Sequence, residues 1–163
     1  MRRSLSAALF LIVLTVSFAS AFAEGPALSG EMEARRIIRD EKDHEIAVPA
    51  EQVYPNDTVE YTLKYNNSGE ASVTGVGLVG PVPTGTIYIE KTASDIAGIT
   101  TLYSIDGGKS YQKAPVMYEF IRKDGTVEKR VAKPEMITHI KWAVDGEFDP
   151  GRVVQVSYRV QVK

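Results

Sequence analysis

Histidine and cysteine, the side chains that most often bind transition metals or act as catalytic bases and nucleophiles, are nearly absent from this 163-residue sequence. Its histidines are His44 and His139, and it contains no cysteine. A two-histidine metal site would need both rings beside a carboxylate, but strand alternation places His139 opposite Ile140 and Trp142 and predicts a solvent-facing ring. Without cysteine, zinc–thiolate sites, thiol catalysis and disulfides are excluded. We predict no metal site, no cofactor and no catalytic residue.

Two short motifs suggest ion-binding loops, and their spacing disfavours both. Asp145, Glu147 and Asp149 alternate in a predicted loop, but the D-x-[DN]-x-[DN]-G calcium pattern with its distal glutamate is missing. Gly75-Val76-Gly77 lacks the third glycine, the Gly-Lys-Ser/Thr run and the following helix of a phosphate loop. A solvated loop and a closely packed strand are the simpler interpretations. Calcium binding by residues 145–149 stays an open alternative.

Tyrosines are the remaining candidates for contacts with a partner or a ligand. The candidates, on predicted middle strands and hairpins, are Tyr88, Tyr103, Tyr111 and Tyr118. Aromatic rings exposed on such strands can stack on sugars or peptides. A small ligand-binding or carbohydrate-binding module is therefore the alternative function. The competing interpretation is that these rings are core or sheet-face residues.

Strands must position these side chains, since strand patterns dominate the chain. Residues 58–65 alternate, with Val59, Tyr61, Leu63 and Tyr65 on one predicted core face. The C-terminal residues 153–163 alternate more strictly, and the predicted core face consists of Val154, Val156, Tyr158, Val160 and Val162. We expect a turn at residues 66–69, where Asn66 hydrogen-bonds the loop backbone and Gly69 supplies a positive φ.

Weaker strands separated by turn residues fill the interval between these two. The predicted strands are residues 71–80, 86–92, 100–105 and 136–144, the last a central strand with Ile140 and Trp142 inward. The predicted turns are Asp106-Gly107-Gly108, Asp124-Gly125 and Asp149-Pro150-Gly151. Residues 31–43 could form a helix by propensity, but their β neighbours favour an edge strand. About seven short antiparallel strands predict an all-β sandwich.

The order of these motifs resembles a known family. "VYPNDTVEYTLKYNNSGEASVTGVGLVGPVPTGTIYI", followed by "YSIDGGKSY", "THIKW" and "DPGRVVQVSYRVQVK", is similar to the bacterial conserved-repeat family called domain of unknown function 11. The resemblance covers about residues 53–163. It implies an immunoglobulin-like β-sandwich in an exported or surface protein without enzymatic activity. Asn56 stands where the family usually has glycine, a position that asparagine tolerates in a left-handed turn.

The N-terminal residues predict export. Residues 1–23 combine two arginines, an apolar stretch and the ending Ala21-Phe22-Ala23, which is typical of a cleaved signal peptide. Residues 24–45 are expected to lead into the first strand, and residues 46–163 to form the immunoglobulin-like domain. After cleavage we expect no membrane span. The destination is the periplasm, the extracellular space or the cell surface.

The charge balance and the resemblance together indicate an interaction role. A net charge of −2 argues against nucleic acid and anionic lipid surfaces as partners. We therefore predict an exported, non-enzymatic structural or protein-interaction module of the bacterial cell envelope. Its partners would be envelope or surface proteins, held through pairing with an exposed edge strand.

Overall fold

The structure, a computed structural model, describes residues 28–163 as an all-β arrangement without an α-helix. The strands are β1 (Leu28–Arg39), β2 (Glu45–Pro49), β3 (Thr58–Asn67), β4 (Val73–Thr74), β5 (Gly77–Pro81), β6 (Thr86–Tyr88), β7 (Ile99–Ser104), β8 (Met117–Ile121), β9 (Val127–Val131), β10 (His139–Val144), β11 (Glu147–Phe148) and β12 (Val153–Val162). A 3₁₀ turn spans Pro134–Met136. All the strand pairs of this range are antiparallel, which confirms the prediction of antiparallel sheets.

The larger sheet contains five strands in the order β2-β1-β3-β12-β6. The alternation predicted for residues 58–65 and 153–163 is confirmed, because Leu63 in β3 and Val156 in β12 are opposite each other and both buried. The strand predicted within residues 31–43 is confirmed as well. It is not an edge strand, however, because β2 folds back on it and pairs from Glu45 to Pro49.

A second sheet contains three strands in the order β5-β10-β7, and the pairs β11-β4 and β8-β9 form two-stranded sheets. The prediction of a central strand near residues 136–144 is confirmed by β10, which pairs with both neighbours. Ile140 and Trp142 alternate inward and are completely buried. Side chains of a strand alternate between its two faces, so Ile140 and Trp142 share one face. Lys141, half-buried between them, lies on the other.

Apolar side chains from both sheets form one hydrophobic core around Tyr158 of β12. The Tyr158 ring centroid lies 5.4 Å from that of Tyr61 and 5.9 Å from that of Trp142. Its hydroxyl donates a hydrogen bond to the Pro81 carbonyl in β5. The indole N–H of Trp142 donates to the Ser94 carbonyl at 3.0 Å. Both buried aromatic residues therefore have their polar atoms paired, as burial requires.

The glycines of residues 71–80 divide a strand that the sequence predicts as continuous. Gly75 has φ 70°, a left-handed conformation that ends β4 before β5 begins. Gly80 lies against the Tyr158 ring, and a Cβ there would be 2.6 Å from a ring carbon. The strand predicted at residues 86–92 is also shorter, because β6 ends at Tyr88 and Lys91 has φ 62°.

The turn after β3 differs from the prediction in the residue that holds it. Asn67, not Asn66, is completely buried, and its side-chain amide donates to the carbonyls of Ala71 at 2.9 Å and Phe148 at 2.8 Å. Gly69 donates its N–H to the Asn67 Oδ1 at 3.1 Å and is not among the positive-φ glycines of residues 28–163. The strand therefore continues two residues beyond the predicted break, to Asn67.

Two other turn predictions are confirmed. Asn56 has φ 72°, and its N–H donates to the Val162 carbonyl at 2.9 Å, so asparagine occupies a left-handed position. Asp124-Gly125 connects β8 and β9, with Gly125 at φ 84°.

The predicted signal peptide, residues 1–23, lies outside the described residues. Within residues 28–163, no helix is long and apolar enough to cross a membrane.

Candidate functional site

The four candidate tyrosines do not form a common exposed platform. Tyr88 is buried in β6 and Tyr103 half-buried in β7, with hydroxyls 3.5 Å apart and rings tilted by 46°. Tyr111 lies near the Lys141 Nζ, which is 5.4 Å from its ring centroid. Tyr118 is half-buried in β8. Only Tyr88 and Tyr103 are brought together, and their tilted rings do not offer a flat surface for stacking.

Tyr88 and Tyr103 line a cleft of about 370 Å³. We call it the tyrosine cleft, and its lining consists of Tyr88, Glu90, Lys91, Tyr103, Ala114, Pro115, Val116, Val131, Ala132, Pro134 and Ile137. It lies between the ends of β6 and β7 on one side and the base of the β8–β9 hairpin on the other. A volume of this size is near the lower end of the range for small-molecule sites.

The polar groups of the cleft are two tyrosine hydroxyls and two charged side chains. The Tyr88 hydroxyl accepts a hydrogen bond from the Ala93 N–H at 3.3 Å. Burial raises the pKa of Tyr103 far above its usual range, and the hydrogen bond with Tyr88 raises it further. This phenol therefore stays neutral. Glu90 and Lys91 are exposed, and within the described chain neither forms a salt bridge.

A second surface is formed by the β8–β9 hairpin. These strands pair only with each other among the described strands. On one face Met117 lies opposite Val131 and Ile121 opposite Val127, with the charged pair Glu119 and Lys129 between them. We call the four apolar residues the hairpin face. Ile121 is 69% exposed, Val131 57% and Val127 56%. Apolar side chains of this kind are normally buried in a sheet. Here Val131 also lines the tyrosine cleft, while Ile121 and Val127 at the outer end of the hairpin are the more freely exposed pair.

The opposite face of the hairpin is held by charge and aromatic contacts. The Arg130 guanidinium lies 3.8 Å from the Phe120 ring centroid. Glu128 accepts hydrogen bonds from Arg122 at 2.9 Å and from Arg130 at 3.0 Å, and these bonds lower its pKa. These contacts order the two strands and leave the hairpin face unpaired.

The histidines lie in separate local environments. The His44 Nδ1 is 3.3 Å from the Asp40 Oδ2 in the turn between β1 and β2. The His139 Nδ1 is 3.2 Å from the Thr138 Oγ1 at the start of β10, where the ring is half-buried, less exposed than the sequence predicts. Among the residues described, no group of three or more histidines and carboxylates is placed to hold a metal ion.

The acidic residues 145–149 are engaged in separate contacts. The Asp145 Oδ1 accepts a hydrogen bond from the Thr100 Oγ1 at 3.4 Å, and the Asp149 Oδ1 accepts one from the Ser72 Oγ at 2.8 Å. Glu147 belongs to β11, opposite Thr74. Side-chain hydrogen bonds therefore account for the positions of the Asp145 and Asp149 carboxylates, whereas Glu147 is held through its backbone pairing.

The hairpin face is the surface that reasoning from the sequence missed. Neither strand alternates cleanly, because β8 reads MYEFI and β9 reads VEKRV, so period two does not single out one apolar face in this hairpin. Comparison of the chain with protein-family models, with curated proteins and with solved structures finds no match.

Proposed function

We propose that this protein is an exported, non-enzymatic interaction module of the bacterial cell envelope that binds a partner protein through its hairpin face. The proposed fold is an immunoglobulin-like β-sandwich of the conserved-repeat family. A shared core between a five-stranded and a three-stranded antiparallel sheet supports that fold. The signal-peptide pattern of residues 1–23 supports export to the periplasm or the cell surface.

The exposed hairpin face is the observation that carries the proposal. A two-stranded hairpin alone is only marginally stable in water, and apolar residues along its side add to the unfavourable exposed area. In the described chain, Ile121, Val127 and Val131 each expose more than half of their surface. An apolar surface of this kind is typical of a site that becomes buried on association.

The charge of the hairpin indicates what the partner carries. Between Lys113 and Lys133 the basic residues are Lys113, Arg122, Lys123, Lys129, Arg130 and Lys133, and the acidic residues are Glu119, Asp124 and Glu128. The whole chain has a net charge of −2, so this basic segment stands out from an acidic protein. The complementary partner is an apolar protein surface bordered by carboxylates.

A protein partner fits the hairpin better than a lipid surface does. The tip, residues 122–126, is polar and charged, whereas the apolar side chains line the flank of the strands. A hairpin that inserts into lipid would need apolar residues at its tip to reach the acyl chains. The flank instead offers two apolar pairs, separated by Glu119 and Lys129, that suit another protein's apolar surface.

Pairing through the β2 edge strand is a weaker mode for this chain. The β2 edge has only five residues and ends at Pro49, which cannot donate a ladder hydrogen bond. Glu45 at its start accepts a hydrogen bond from Arg159 at 2.8 Å. Short length, proline and charge are features that protect sheet edges from pairing.

Matched valine variants test the proposal. Val127→Asp changes the hairpin face, and Val153→Asp changes an equally apolar position, 51% exposed, in β12. Photo-crosslinking from Ile121 in native envelopes should yield one discrete protein adduct, lost in V127D and kept in V153D. Anionic vesicles should not sediment the protein. Equal loss in both variants, absence of any adduct, or vesicle binding that V127D abolishes would overturn the proposal.

A further inference from the structure

We propose that the tyrosine cleft is a binding site for a small apolar molecule that carries one carboxylate, such as a medium-chain fatty acid. This inference goes beyond the interaction role of the hairpin face, since it concerns a cavity and a ligand class of its own. Three features of the described residues carry it: the apolar wall, the pair of little-exposed tyrosines and a lysine without a salt-bridge partner among the lining residues.

The wall of the cleft selects an apolar body. Val116 and Ile137 are buried, and Pro115, Pro134 and Ala132 complete the lining between them and the hairpin base. An apolar ligand that covers these side chains is stabilised by roughly 25 cal/mol for each Å² of apolar surface removed from water. The cleft of about 370 Å³ accommodates a chain or a small ring system and excludes a folded partner domain.

The tyrosine pair is the least exposed polar part of the cleft lining. Tyr88 and Tyr103 place their hydroxyls 3.5 Å apart, at the outer limit of a hydrogen bond, while burial keeps the Tyr103 phenol neutral. A charged group at that depth would be desolvated without a counter-ion. The ligand's charge must therefore be at the mouth and its apolar part inside.

Lys91 is the group that selects the charge. Its side chain lines the cleft, is exposed, and has no hydrogen bond or salt bridge to any described residue. Its backbone has φ 62°, which is unusual for a residue other than glycine, asparagine or aspartate and directs the chain out of β6 at this point. An ammonium beside an apolar cavity stabilises a bound carboxylate through a charge-assisted hydrogen bond.

Glu90 limits the ligand to a single negative charge. Glu90 also lines the cleft, is exposed, and has no salt-bridge partner in the described chain. Repulsion from Glu90 opposes a second anionic group near the same mouth. The ligand is therefore a monocarboxylate. Removing the charge of Glu90 and removing that of Lys91 should change its affinity in opposite directions.

Titration with a fatty acid and its alcohol tests this site. Binding of octanoate, decanoate and decanol, each below its critical micelle concentration, is followed by backbone amide NMR and calorimetry on the chain beginning at residue 24. Decanoate should bind at least about tenfold tighter than decanol, as one charge-assisted hydrogen bond provides. Chemical-shift changes should centre on Ala93, Tyr103 and Ala132.

Variants of matched charge decide what Lys91 does. Lys91→Met should remove the preference for decanoate over decanol, Lys123→Met at the hairpin tip should leave it unchanged, and Glu90→Gln should strengthen decanoate binding. Failure of both ligands to saturate, or a preference that survives K91M, would overturn the inference.

A blocking variant adds a test of the cavity itself. Ala132→Phe should abolish binding of both ligands while the remaining amide spectrum stays that of the folded protein; unchanged binding in a folded A132F contradicts the site. If A132F does not fold, the comparison of decanoate binding by K91M and K123M still tests the site. V127D, which removes partner crosslinking, should leave decanoate affinity within about twofold, because Val127 does not line the cleft. The two proposals can therefore fail separately.

Discussion

Asn67 shows how one buried side chain joins three segments of the chain. Its amide reaches the carbonyls of Ala71 and Phe148, and its Oδ1 accepts the Gly69 N–H. Its own carbonyl accepts the Gly151 N–H at 2.7 Å. A buried polar side chain is tolerated when its hydrogen bonds are satisfied, and the bonds made here also determine where two loops close. Asn67 is therefore a structural corner.

Gly80 is required by the ring that packs on it. A Cβ at Gly80 would lie 2.6 Å from a Tyr158 ring carbon, and this ring cannot move because Trp142 and Tyr61 flank it. We expect Gly80→Ala to destabilise the protein by about 1–3 kcal/mol through overpacking. The measurement is urea denaturation.

Gly77→Ala is the matched control in the same strand. A Cβ there would meet the end of the Lys141 side chain, which is flexible and can turn aside. Its free energy of unfolding should change by less than about 1 kcal/mol. Equal destabilisation by both changes would mean that loss of glycine in β5, not the Tyr158 contact, is responsible.

At the scale of elements, Asp106 holds the turn after β7. Its Oδ1 accepts hydrogen bonds from Ser104 Oγ at 2.7 Å and from the N–H groups of Lys109 and Ser110 at 3.0 Å. Hydrogen bonds hold the pKa of Asp106 well below its usual range. In decreasing order of effect they come from the Ser110 side chain, the Ser110 N–H and the Ser104 side chain. The turn is therefore stabilised by an ionised carboxylate.

The depressed pKa gives the turn a defined pH dependence. Because the folded pKa is below the unfolded value of 3.8, the contribution is fully present above that pH and is lost as pH falls through the folded value. Asp106→Asn should lower the unfolding midpoint at neutral pH, with a difference from wild type that narrows below about pH 4. Carboxyl NMR should show a higher Asp106 pKa in Ser110→Ala. A constant difference at all pH values would contradict this assignment.

How far elements could be predicted depended on whether their partners were near in sequence. The alternation of β3, β10 and β12 reflects a strand's own period, and Asp124-Gly125 specifies its hairpin locally. The interior place of β1 depends on β2 covering its edge, which no single-strand pattern encodes. The tyrosines illustrate the same limit, since Tyr88 and Tyr103 meet through sheet packing and Tyr111 does not. The pattern identifies faces, while tertiary contact decides which faces are covered.

At the scale of the whole molecule, the two sheets differ in width. Met32 lies opposite Leu63, and Ile38 opposite Ile46, so these side chains share the core-facing side of the five-stranded sheet. The three-stranded sheet covers β3 and β12 but leaves Met32 46% and Ile46 42% exposed among the described residues. The core is therefore concentrated around β3, β12 and β10.

This distribution predicts two levels of local stability. Amide hydrogens of β10 and β12, paired on both sides, should exchange only on global unfolding, whereas those of the β8–β9 hairpin should exchange through local opening. We expect protection factors that differ by at least about a hundredfold, measured by hydrogen–deuterium exchange with NMR. Similar protection in both regions would mean that the hairpin is held by contacts beyond its own pairing.

Trp142, the only tryptophan of the chain, gives the protein an internal optical reporter. Its indole is fully buried between the sheets and is removed from both the hairpin face and the tyrosine cleft lining. Its emission should be blue-shifted in the folded protein and should move to longer wavelength only when the two sheets separate. Tryptophan fluorescence, recorded without an added label, thus distinguishes a variant that has lost a surface contact from one that has lost its core.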